Sequence, residues 1–286
     1  MDESTRLAEL SGELSRLVSK LKAQHKLLKN LQTGRKDGDL PRALKALTGL
    51  DGALLERVGL GPGCRAVQDE SRQALDSARQ EQRRELGRTL LQAAEQAGRS
   101  CRKLSENPLE FLVAPFTVEI ALETMEATVL FAREPLAQVP AKAERIMDAV
   151  RREEKGLADR KVTPEGIFDS LLRAYRSLLG ATMRPAGERV ALADVLPYMA
   201  LMQQSARFES DPRRERFVTY PKSHFLFDLA TLRRARLLER NGWRLDLGTA
   251  TGDSVKRKSM VFFLQNNDGQ GQYYLSLRFV QSGRLL

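Results

Sequence analysis

Only two histidines, two cysteines and one tryptophan occur in 286 residues, and aromatic side chains make up 6% of the chain. Each shortage removes a class of chemistry. His25 and His224 stand apart, with no His-Glu-x-x-His pair and no Gly-x-Ser-x-Gly elbow, so each reads as a surface or capping residue. Cys64 and Cys101 cannot form a disulfide framework and lack the clustered partners of a zinc site, which predicts a reduced, cytoplasmic protein. No run approaches the roughly 18 to 20 continuous apolar residues that cross a bilayer, so no membrane partner is expected. The opening Met-Asp-Glu-Ser-Thr-Arg lacks the basic head and apolar core of a signal peptide. Gly59-Leu60-Gly61-Pro62-Gly63 is rich in glycine but has no Lys-Ser or Lys-Thr after it, which makes it a turn rather than a phosphate loop. Asp253 and Lys256 are one residue too far apart for the acid-x-Lys unit of a metal-dependent nuclease, and the strands that follow carry no carboxylates. The expectation is a protein that is not an enzyme and has neither metal nor cofactor.

What the chain does have is positive charge. Its net charge is +10, and residues 201–286 hold 15 basic against 8 acidic residues. Such an excess favours a polyanionic partner through long-range electrostatics, without saying anything about the fold.

The hydrophobic pattern predicts an α+β protein, mostly helical, in two parts: a helical arm or bundle over 1–104 and an α+β domain over 105–286. Leu7, Leu10, Leu14, Leu17, Leu21, Gln24, Leu28 and Leu31 alternate spacings of three and four, which is a heptad seam with one polar position. The seam predicts self-association or a protein partner through residues 7–31; the competing reading is an intramolecular helical hairpin. The run stops at Thr33-Gly34, a second helix fits 41–58, and a third fits 65–104, so the arm reads as antiparallel helices. Strict alternation at Phe116, Val118, Ile120 and Leu122, followed by a second strand, predicts a hairpin over 116–132. Helices are expected at 141–156, from the Thr163-Pro164-Glu165 entrance, and at 191–204, with a loop or small hairpin over 207–220.

From residue 163 to 286 the order reads as helices followed by a wing, a winged-helix-like unit with a β-meander. A helix from Lys222 to Arg240, stopped by Asn241-Gly242, would precede strands 243–249, 256–264 and 272–280. Arg233, Arg236 and Arg240 would then share one helix side with Lys222, and Lys256, Arg257 and Lys258 would open a wing strand. These seven residues form the candidate nucleic-acid-binding set, placed to contact the backbone of duplex DNA, with His224 as the only base-edge reader in reach. Two functions are therefore expected to compete. One is a DNA-binding subunit of a larger complex. The other is an adaptor that assembles through its coiled coil and whose arginines form a solvated face or dock an acidic protein.

Overall fold

The computed structural model describes residues 3–160, 162–252, 260–266 and 269–281. The fold is α+β and 57% helical, with a long helical region first and antiparallel sheets after it. The chain divides into two compact units, one made of residues 1–90, 120–126 and 140–143, the other of 91–119, 127–139 and 144–286. No helix among the described residues is long and apolar enough to cross a membrane.

The first unit holds four helices: α1 (Glu3–Asp37), α2 (Leu40–Thr48), α3 (Gly52–Arg57) and α4 (Gly61–Gln96), which runs on into the second. Gly34 does not end α1. A Cβ there would lie 2.8 Å from the backbone nitrogen of Ala43, so the glycine lets α2 approach closely. The chain instead turns at Gly38, whose φ of +70° suits a residue without a side chain. The stretch expected as one helix over 41–58 is two, because Asp51 caps the second by accepting from Leu54 N–H at 3.0 Å. Gln24, the polar member of the seam, is buried and accepts from the Asp51 amide at 2.9 Å. Leu31, Leu40, Ala43, Leu47, Leu50 and Leu75 make the core of this unit. Of α1, only the C-terminal half takes part, through Leu27, Leu28 and Leu31. Residues 4–20 are exposed all round except the half-buried Gly12, and Leu7, Leu10 and Leu14 are each 62% exposed.

The third predicted helix ends eight residues early. Gly98, at φ +67°, takes the left-handed position after α4, and the amides of Gly98 and Arg99 bond back to Glu95 and Ala94. The polypeptide then enters a five-stranded antiparallel meander: β1 (Cys101–Glu106), β2 (Leu109–Val113), β3 (Phe116–Ala121), β4 (Glu126–Phe131) and β5 (Glu134–Pro140). The predicted hairpin is β3–β4, with Phe116, Val118 and Ile120 buried on one face as their alternation required. The strands before and after it lack a clean alternation, and β1 spans the expected boundary at 104/105.

Three helices follow: α5 (Ala143–Ala158), α6 (Pro164–Ala181) and, after the two-residue strand β6 (Val190–Ala191), α7 (Leu192–Met202). Thr163 caps α6 as its sequence predicts, with its hydroxyl accepting from Gly166 N–H at 3.1 Å. A short helix α8 (Ala206–Ser210) and a 3-10 turn at 214–216 occupy the expected loop. Then come α9 (Lys222–Arg234), β7 (Glu239–Arg240), β8 (Trp243–Thr249), β9 (Phe262–Gln265) and β10 (Gly271–Gln281).

Two expectations fail here for one reason. The predicted helix 222–240 ends at Arg234, where Arg236 adopts φ +52° and the amides of Arg236 and Leu237 bond back to Arg233 and Leu232. Asn241-Gly242, read as the helix stop, is instead a two-residue hairpin turn, with φ of +51° and +73°, joining β7 to β8. The last strands are also no simple meander. The order is β6-β10-β8-β7, with β9 also on β10, so Tyr274 is paired to Thr249 on one side and Phe262 on the other.

Candidate functional site

The members of the predicted basic set among the described residues, Lys222, Arg233, Arg236 and Arg240, do not form one face of a helix. Lys222, in the first turn of α9, is mostly covered; its Nζ pairs with Glu134 at 2.8 Å and lies 4.8 Å over the Phe262 ring. Arg233 is exposed, in the last turn, with its guanidinium 5.7 Å from the Tyr274 ring centre. Arg236 is exposed too, but stands past the helix end. Arg240 lies on β7 and pairs with Asp169 of α6 at 3.2 Å. Lys256, Arg257 and Lys258 lie outside the described residues. Arg234, absent from the expected set, joins Arg233 at the exposed end of α9, 5.6 Å over the Phe227 ring.

The reason is the burial of α9. From Lys222 to Thr231 it has no exposed residue. Phe225 and Leu226 are fully buried, and Phe227 packs on Phe131 of β4 with ring centres 5.8 Å apart. A helix enclosed on every side except its last turn has no free flank to lay in a groove.

At the middle of α9 lies a charged group that sequence reasoning did not find. Asp228 is 1% exposed. Both its oxygens accept from Arg160, Oδ2 from Nη1 at 3.1 Å and Oδ1 from Nη2, and the Tyr220 hydroxyl donates to Oδ2 at 2.5 Å. Burial drives the Tyr220 phenol far above its ordinary range, and the neighbouring carboxylate adds to the effect. Burial acts to lower the Arg160 guanidinium, but its bonds and charge attraction to Asp228 outweigh that and hold it raised. His224 stands beside them, its ring centre 6.0 Å from that of Tyr220 and its buried Nδ1 without a hydrogen-bond partner. Burial, then the Arg160 charge, lowers its pKa. This places the proposed base-edge reader half-buried against a cation. The one sequence signal was an acid inside the apolar run Phe225-Leu-Phe-Asp-Leu-Ala230; its partner 68 residues away carries no mark.

A second polar group lies on the other sheet. Asp246 of β8 accepts from Arg189 at 2.5 Å and from Arg278 at 2.8 Å. Its partial burial works to raise the carboxyl, and the two guanidiniums more than reverse that. A cleft of about 350 Å³ opens between the first sheet and the β9–β10 hairpin. Some of its charges are engaged, Glu134 with Lys222 and Arg133 4.8 Å over the Phe263 ring, and Glu110 and Glu119 line it as well. Among the described residues, no three His, Cys, Asp or Glu side chains come together as a metal site.

On α1 an apolar stripe is left open. The heptad stripe of α1 at Leu7, Leu10, Leu14 and Leu17 is covered by no part of the described chain. Neither a protein-family model, nor a curated protein, nor a solved structure matches this chain.

Proposed function

We propose that this is a non-enzymatic assembly protein that docks through the N-terminal half of α1. The observation that carries the reading is the exposure of residues 4–20 as helix. That stretch contains Ser4, Thr5, Ser11, Gly12, Ser15 and Ser19, all weaker helix formers than alanine, and it gains nothing from tertiary packing. In proteins most helical stability comes from packing an amphipathic face rather than from intrinsic propensity. A leucine seam on such a helix, with three leucines 62% exposed, is stabilised when another helix covers it. Replacing Leu10 and Leu14 by Asp tests this. Native size fractionation of the host lysate should show the wild-type chain in an assembly heavier than its 32.1 kDa and the variant at monomer mass. A wild-type chain at monomer mass in the lysate would sink the reading.

A second reading keeps nucleic acid as the partner. The order α6, β6, α7, α9, β8, β10, with β10 between β6 and β8, supports a winged-helix-like unit. Arg233, Arg234 and Arg236 are exposed where α9 ends. Because the rest of α9 is enclosed, contacts there would go to the phosphate backbone and carry no base sequence. Mobility shift with random duplex at two salt concentrations tests it. Arg233→Glu with Arg236→Glu should weaken binding alike for all sequences and flatten its salt dependence. Absence of wild-type binding at low salt removes this reading for the isolated chain. Fold topology alone decides neither, since one architecture hosts many roles.

A further inference from the structure

Resting on the assembly reading above, we propose that the partner covering the α1 seam is the same segment of a second copy, laid antiparallel to form a two-fold dimer.

The seam limits where a partner can lie. Leu7, Leu10, Leu14 and Leu17 are exposed and Leu21 is half-buried, but Gln24 is closed off by its bond to the Asp51 amide and Leu31 by α2. The open stretch therefore runs from Leu7 to Leu21, about 21 Å at 1.5 Å per residue. With Leu7, Leu14 and Leu21 as one core position of the heptad and Leu10 and Leu17 as the other, Arg6, Glu13 and Lys20 fall on one flank of the seam. Ser11 and Val18 fall on the other.

Charge then selects the direction and the register. In a parallel pair each flank residue faces the opposite flank five positions on, so Glu13 would meet Val18 of the second copy and gain nothing. In an antiparallel pair like flanks face each other. Setting Leu14 level with Leu17 of the copy, and Leu10 with Leu21, brings Glu13 beside Lys20 twice, once on each side of the two-fold axis. Sliding one heptad inward sets Glu13 against Glu13 and Arg6 beside Lys20, two repulsive arrangements. Sliding outward demands seam that α2 and α3 already cover. One register, which pairs Leu10 to Leu21 of each copy and leaves Leu7 beyond the contact, is both open and charge-matched. The wider charge distribution agrees: residues 4–16 balance Glu9 and Glu13 against Arg6 and Arg16, whereas 20–29 carry Lys20, Lys22, Lys26 and Lys29 and no acid. Antiparallel stacking sets the neutral half on the basic half and keeps the two basic stretches apart, and the same patch serves both copies, as a closed two-fold interface requires.

Sedimentation equilibrium of the purified full-length chain tests the arrangement. The wild type should be in monomer–dimer equilibrium. Glu13→Lys and Lys20→Glu should each weaken dimerisation about tenfold, because two symmetric attractions become repulsions. The double exchange, Glu13→Lys with Lys20→Glu, should return it to within about threefold of wild type. At concentrations where all four chains are monomeric, their circular dichroism melts should be alike, since these side chains are exposed in the monomer. A wild-type chain that stays monomeric at the highest soluble concentration overturns self-pairing. If its lysate assembly still depends on Leu10 and Leu14, the assembly reading survives with a different partner. A dimer indifferent to Glu13→Lys, or a double exchange that fails to recover, overturns the antiparallel register.

Discussion

Replacing Asp228 by Asn should be among the most destabilising single changes in this protein. The carboxylate is 2% exposed at its side chain and the Arg160 guanidinium facing it 18%. Asn keeps the shape but removes the charge, and it turns one acceptor into an NH2 donor among donors from Arg160 and Tyr220. The guanidinium would remain charged and partly enclosed with no counter-charge, a situation that costs about 3–5 kcal/mol when one member of a buried pair is removed. A domain of 150–250 residues loses roughly 2–4 °C per kcal/mol, so the melting temperature should fall by about 6–20 °C. Thermal melts by circular dichroism, with Asp228→Asn, Arg160→Met and the pair together, form a double-mutant cycle. The double variant should recover at least half of the loss, since it removes the stranded charge as well as its partner. An Asp228→Asn protein melting within about 2 °C of wild type would refute the argument. So would a double variant whose loss is the sum of the two single losses, since the two groups would then not be energetically coupled.

Two further outcomes follow from the same structure. His224 has a lowered pKa in the folded chain, so the unfolded chain binds its proton more readily. Its contribution to stability is thus intact above the ordinary histidine value of about 6.5 and lost as pH falls below that; the melting temperatures of wild type and His224→Gln should converge or cross between pH 7.5 and 5, and parallel curves would show no such linkage. Gly34→Ala should destabilise the first unit by about 1–3 kcal/mol, because the new methyl would sit 2.8 Å from the Ala43 backbone nitrogen and α2 must move. Chemical denaturation followed by helical circular dichroism measures it, and an unchanged midpoint would mean α2 shifts freely.

The sequence determined the features whose causes lie within a few residues. The Thr163-Pro164 entrance of α6, the inward face of β3 and the full extent of β8 from Trp243 to Thr249 were legible because a cap, an alternation and a strand are local patterns. So was the leucine seam. Where one local signal has two meanings, it misled: Asn241-Gly242 serves a helix stop or a hairpin turn alike, and reading it as a stop carried the helix across Arg236. Gly34 had the same ambiguity, since a glycine that ends a helix and one that admits a neighbouring helix look alike in sequence.

Tertiary structure decided which charges are available. Arg233, Arg236 and Arg240 are alike in sequence, yet one stacks on Tyr274, one stands past the helix end and one pairs with Asp169, 71 residues away. Lys222 meets Glu134, and Asp228 meets Arg160, across similar distances in the chain. Heptad spacing is likewise silent on which half of the seam finds its cover at home. That α2 and α3 close Gln24 to Leu31 and leave Leu7 to Leu17 open follows from loop lengths and helix packing over fifty residues. Ion pairing and burial depend on distance in space, and a sequence records only distance along the chain.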